Sequence, residues 1–191
     1  SGMRQHSTLK RLLACAAVIT ALAITVQGQY SLTVNFDRLI NAANEPQNWL
    51  HMNGDYGATR YSKLTQINRE NVGDLRMVWA LALGGMQDTG RNGPESEVNP
   101  LIDNGFMYTT DGWGTIYKID ARNPDYGDFV WIADPGVDHE GNTSRTRGIS
   151  LWEDKVINNL PDGRVIAVDR DNGEIIWDVE VAGQNEFGRR E

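Results

Sequence analysis

The strongest constraint on this chain is a 20-residue stretch that occurs twice. Residues 101–120 read LIDNGFMYTTDGWGTIYKID, and 49 residues later residues 150–169 read SLWEDKVINNLPDGRVIAVD, aligned without a gap. Gly114 falls on Gly163, Ile116 on Val165, Ile119 on Val168 and Asp120 on Asp169. Each copy continues through a polar turn (121–128 and 170–174) into an apolar run that ends in tryptophan, at Trp131 and Trp177, and an earlier run ends the same way at Trp79. The three tryptophans are spaced 52 and 46 residues apart. That period belongs to a four-stranded propeller blade, not to a helical repeat.

Inside each unit, apolar runs of about 4 to 6 residues alternate with Asp-Asn-Gly, Asp-Gly or Pro-Asp-Gly, which are hairpin turns because Asn and Gly accept positive φ at low cost. The pattern predicts strands at 100–103, 106–110, 114–120 and 128–133, then at 147–152, 155–160, 164–169 and 174–181, with an earlier strand over 76–83. The expected fold is therefore all-β, a propeller of four-stranded blades in which each tryptophan seals one blade against the next. A propeller closes with roughly 4 to 8 blades, whereas two complete units and part of a third are present, so the chain reads as a piece of a longer protein.

The totals fit a globular domain: 40% hydrophobic and 23% charged residues. With 26 acidic against 18 basic residues and no basic run after residue 11, nucleic acid is not an expected partner. The start of the chain is different. Arg4, Lys10 and Arg11 precede the apolar stretch 12–26, and Val26-Gln27-Gly28 places small residues at −3 and −1 of a signal-peptidase site. Residues 1–28 thus read as a signal peptide, with Ser1 and Gly2 ahead of Met3 as an expression remnant. The stretch is short for a membrane span and no second one follows, so no transmembrane anchor is expected. Leu12-Leu13-Ala14-Cys15 resembles a lipoprotein box, but such a box closes its apolar stretch, and here the stretch begins at Leu12. Cys15 is the only cysteine, so the mature chain has no disulfide or thiolate metal site. Residues 29–47 read as an irregular arm, with a weak helical spacing of Phe36, Leu39 and Ile40, and the partial propeller covers 48–191.

Several residues are candidates for chemistry. The 49-residue shift places Val98 on Arg147, so Glu97 and Arg147 enter the innermost strands of successive blades at almost the same level, where side chains point toward the central channel. They form either a ligand site or a salt bridge across the blade junction. Asp134, Asp138, His139 and Glu140 form an acidic cluster that reads as a solvated loop, with a cation site as the lesser alternative. Asp169, Asp171 and Gly173 look superficially like a calcium loop, but no glutamate follows at its twelfth position, and they read as a hairpin turn. Asn142-Thr143-Ser144 is a formal glycosylation acceptor. Neither a phosphate loop nor a nucleophile elbow occurs.

The segments GDYGATRYSKLTQINRENVGDLRMVW (54–79), ESEVNPLIDNGFMY (95–108), TRGISLW (146–152) and DGRVIAVDRDNGEIIW (162–177) resemble, in order and spacing, the amino-terminal part of the pyrroloquinoline quinone (PQQ) dependent alcohol dehydrogenases. The resemblance implies an eight-bladed propeller, a periplasmic location, PQQ held on a calcium or lanthanide ion, and oxidation of an alcohol, polyol or sugar with electrons passed to a cytochrome or quinone. It also implies that Glu97 contacts the quinone and that Arg147 lies by its carboxylates. Many members carry bridged adjacent cysteines shortly before this arginine, where the present chain has Gly141 and Asn142. The family's metal ligands, catalytic aspartate and the tryptophan beneath the quinone would lie beyond Glu191, so catalytic residues are not assigned and the fragment alone is expected to be inactive. The alternative reading is a non-catalytic propeller of the same repeat type, such as an outer-membrane assembly scaffold. Mass spectrometry of the exported protein is expected to find Gln29 as its first residue; a lipid-modified Cys15 at the mature terminus would overturn this.

Overall fold

A computed structural model of the chain describes residues 33–84, 96–139 and 146–182. The first repeat unit folds into β1 (Leu101–Asp103), β2 (Phe106–Thr110), β3 (Ile116–Asp120) and β4 (Asp128–Ala133). The second forms β5 (Ile149–Trp152), β6 (Lys155–Asn159), β7 (Arg164–Asp169) and β8 (Ile175–Glu180). Each set is one four-stranded sheet in chain order, antiparallel throughout. In the first hairpin Asp103 pairs with Phe106, leaving Asn104 and Gly105 as a two-residue loop with φ of 53° and 78°. Positive φ at both positions is what a type I′ turn demands. Register repeats as well: Phe106 pairs with Asp120, and Lys155 with Asp169.

Three expected strands differ by two residues or more, one of them β5, which begins at Ile149 and not at 147. β3 begins at Ile116 and not at 114, because the buried Asp111 carboxylate accepts the N–H groups of Trp113 and Thr115 and holds that stretch as a turn. No strand forms over 76–83, since no backbone hydrogen bond joins that segment to a second strand among the described residues. A strand requires a partner to satisfy its amides.

The two sheets stack face to face. Leu101, Tyr108 and Ile116 of the first blade meet Ile149, Leu151, Val156, Ile166 and Val168 of the second in one apolar cluster. The repeat equivalents of the first three are Ser150, Ile157 and Val165, none of them buried. Stacked blades present opposite faces to each other, so the repeat conserves register while the buried face alternates.

Two of the three tryptophans dock as expected, Trp79 and Trp131, while Trp177 is 37% exposed. The Trp131 indole N–H donates to the Arg170 carbonyl at 3.1 Å, and its ring lies so close to Gly173 that a Cβ there would stand 2.9 Å from it. Trp79 does the same to Gly127, where a Cβ would also fall 2.9 Å from the ring. Each glycine lies in the turn before the fourth strand of a blade, giving the ring of the preceding unit a flat seat.

The segment preceding the blades joins their core. Helix α1 (Phe36–Ile40) is capped by the Asn35 side chain, which accepts the Arg38 N–H at 3.0 Å. Leu39 is buried, whereas Phe36 and Ile40, expected on the same apolar stripe, are exposed. Val34 bridges to Glu153 and Trp49 to Ile102, so both blades are stitched to this segment. Arg38 Nη2 donates to the fully buried Asp103 at 2.8 Å and to Glu45 at 2.5 Å, and Arg170 donates to the other Asp103 oxygen. Among the described residues no helix is long and apolar enough to cross a membrane.

Two outcomes follow from this packing. Gly127→Ala, at a backbone conformation that alanine tolerates, is expected to lose about 1–3 kcal/mol by unseating Trp79. Gly173→Ala should lose more, because its φ of 82° adds strain. Melting curves in which both variants match the parent would exclude the tryptophan seats as a source of stability. Secondly, the Arg38 hydrogen bond, aided by one from Asn48, holds the Glu45 carboxyl below its usual value of 4.5. A depressed folded value means that this stabilisation is fully present above pH 4.5 and is lost as pH falls through the folded value. Acid titration of stability should therefore be flatter for Glu45→Gln than for the parent; identical slopes would remove the pair from the acid response.

Candidate functional site

The site begins where the chain enters each blade. Ser96 and Thr146, just ahead of β1 and β5, form an isolated parallel bridge, and the Glu97 N–H donates to the Thr146 carbonyl at 2.9 Å. Alternation along an extended backbone then places Glu97 and Arg147 side by side. Arg147 Nε stands 3.9 Å from Glu97 Oε2, with the side chains 73% and 41% exposed. The structure thus brings the two predicted residues together, although on extended segments outside the innermost strands. The bridge has an offset of 50 residues, one more than the repeat, which is why Glu97 and not Val98 neighbours Arg147.

Beneath the bridge lies the β2–β3 turn. Ser96 Oγ donates to the Thr110 carbonyl at 3.1 Å, and Thr146 Oγ1 donates to the Gly112 carbonyl at 3.0 Å. From the second blade, Asn158 Nδ2 donates to Thr110 Oγ1 at 3.2 Å and to the Gly114 carbonyl at 3.0 Å. Asp111 locks the turn from within, accepting from two backbone amides and from the Tyr117 hydroxyl at 2.9 Å. Burial, then the Asp111 hydrogen bond, pushes the Tyr117 phenol up to about 12, so Tyr117 stays protonated and donates at neutral pH. Ser96, Thr146, Thr110 and Asn158 escaped the sequence reading. The signal was a hydroxyl residue immediately before each candidate, Ser96 before Glu97 and Thr146 before Arg147.

The other candidates separate. Asp134 accepts the Gly136 N–H in a local turn, and His139 stacks on the buried Trp113 with ring centroids 3.8 Å apart. No three His, Cys, Asp or Glu side chains converge as metal ligands among the described residues. Asp169 Oδ1 accepts the N–H groups of Asp171 and Asn172, and Gly173 N–H donates to the Asp169 carbonyl, which makes 169–173 a hairpin turn. The signal segment 1–28, Glu140, Gly141, Asn142, Thr143 and Ser144 lie outside the described residues. What the described site offers chemically is a cation and a carboxylate on a braced backbone, suited to an anionic ligand that also carries a hydrogen-bond donor.

Relatives share this arrangement of blades. The dehydrogenase subunit of alcohol dehydrogenase (quinone) from Komagataeibacter europaeus is 34% identical over 184 residues, which cover 92% of this chain. The chain spans 23% of that relative's length. Among solved structures, quinohemoprotein alcohol dehydrogenase ADHIIG from Pseudomonas putida HK5 aligns with a TM-score of 0.69 at 33% identity, covering 78% of this chain and 21% of the other. A europium-containing methanol dehydrogenase aligns with a TM-score of 0.64 at 28% identity, covering 75% and 25%. The family model of glucose/ethanol/alcohol dehydrogenase, beta-propeller domain, named PQQ, matches residues 49–187, and the chain belongs to that family.

Proposed function

We propose that the chain supplies blades of an exported, periplasmic quinoprotein dehydrogenase that oxidises an alcohol, polyol or sugar and passes the electrons to a cytochrome or a quinone. The observation that carries this reading is the pairing of Glu97 with Arg147 on the bridge between successive blades, in a chain of this family. PQQ, bound with a calcium or lanthanide ion, supplies the two-electron acceptor; the europium of the similar methanol dehydrogenase supports such an ion.

Arg147 has the chemistry to bind one of the three PQQ carboxylates. Its guanidinium offers two parallel donors. Glu97 accepts a hydrogen bond from the same ligand, its carboxylate standing 3.9 Å from Arg147 Nε. The exposed pair contributes little to folding, so its placement serves binding at small cost to stability. Gly141 and Asn142, in place of adjacent cysteines, leave this branch without that bridge over the quinone.

The test is a PQQ titration of the complete gene product and its Arg147→Ala variant, with calcium or a lanthanide present, alongside melting curves. Loss of a charged contact at a largely exposed guanidinium is expected to cost about 2 kcal/mol, roughly 30-fold in affinity, with an unchanged melting temperature. Equal, tight binding by both proteins would remove Arg147 from the site. Failure of the parent to bind PQQ would remove the dehydrogenase reading and favour the scaffold.

A further inference from the structure

The Arg147 side chain is 73% exposed, and its ion pair with Glu97, itself 41% exposed, is too weak to fix the arginine. The backbone that carries both residues is an isolated bridge outside the strands of the described residues. We infer that the hydroxyls of Ser96 and Thr146 are positioning groups for the cofactor site, acting through Glu97 and Arg147 by fastening the bridge to the β2–β3 turn. The inference rests on the dehydrogenase reading for the identity of the ligand.

The geometry is specific. Thr146 is 3% exposed, and its hydroxyl meets the Gly112 carbonyl at 3.0 Å; Ser96 meets the Thr110 carbonyl at 3.1 Å. Both acceptors belong to a stretch that cannot shift easily. Asp111 closes it through two amides and Tyr117, and Asn158 of the neighbouring blade holds it at Thr110 and Gly114. A hydrogen-bond path thus runs from both blades through the turn to the residues that precede Glu97 and Arg147. Alternation explains the division of labour: at 96 and 146 the side chains turn down to the blade, and at 97 and 147 they turn away from it. The Thr146 hydroxyl also satisfies the carbonyl of Gly112, which lies between β2 and β3.

Thr146→Val keeps the shape and branching of the side chain and deletes only the hydroxyl; Thr146→Ser keeps the hydroxyl and controls for packing. Two readouts are needed. Amide hydrogen exchange of Glu97, whose N–H is donated to the Thr146 carbonyl, reports the bridge without any cofactor. PQQ titration with calcium reports the site. Exchange at Glu97 should accelerate about tenfold in Thr146→Val, with an affinity loss of similar size, and both should return to within about twofold of the parent in Thr146→Ser. On an Arg147→Ala background Thr146→Val should cause a smaller further loss than in the parent, because only the route through Glu97 remains. Unchanged Glu97 exchange in Thr146→Val would overturn the inference. So would faster exchange with unaltered PQQ affinity, or fully additive losses in the double variant, either of which reduces the hydroxyl to a fold contact. A parent that does not bind PQQ overturns the dehydrogenase reading instead, and the exchange rates still decide whether the hydroxyl holds the bridge.

Discussion

A fully buried carboxylate cannot stay charged without partners, and Asp103 receives two guanidinium groups from opposite directions. Arg38 comes from α1 and Arg170 from the turn between β7 and β8, while Asp103 itself ends β1. One anion therefore fixes three parts of the chain that hydrophobic contact alone would allow to slide. The assembly around it is dense. The Arg170 guanidinium carbon lies 5.5 Å from the Tyr108 ring centroid and its Nε donates to the Tyr108 hydroxyl, while its carbonyl accepts from Trp131 and from Lys118. Burial lowers the pKa of the Lys118 amine, and the carbonyl bond offsets part of that cost by occupying one donor. Apolar stacking drives the blades together, and this polar seam sets their mutual register.

That register reaches the candidate site by a short route. Asn158 lies on β6 of the second blade and holds the β2–β3 turn of the first, so any slip between blades would disturb the turn under Ser96 and Thr146. Two exposed side chains are thus carried by a backbone that the buried Thr146, Thr110 and Asn158 hold together. A ligand site built this way has a rigid base and adaptable heads.

Much of the fold was legible because blades obey a period-2 pattern with turn chemistry at fixed offsets: Asn104-Gly105 and Pro161-Asp162-Gly163 mark hairpins whatever surrounds them. The pairing of Glu97 with Arg147 was legible for the same reason, since a repeat offset maps one blade onto the next. Which face of each blade is buried was not, because Tyr108 and its equivalent Ile157 are both acceptable in a core and only stacking decides. Asp103 was equally hidden. Its repeat equivalent is Trp152, and its partners Arg38 and Arg170 lie 65 and 67 residues away in the chain. The segment 76–83 was misread because an apolar run specifies the capacity to pair and not the presence of a partner.

The offset between bridge and repeat has a geometric meaning. Equivalent positions in the two blades differ by 49 residues, while the residues that face each other across the bridge differ by 50. At this bridge the second blade is therefore displaced from the first by one residue, about 3.3 Å. Across this bridge the identical repeat positions Glu97 and Thr146 consequently stand at different heights. A ligand reaching across the bridge would meet a different repeat position in each of the two blades, so one repeated scaffold can present an acid from one blade and a base from the next without either breaking the repeat.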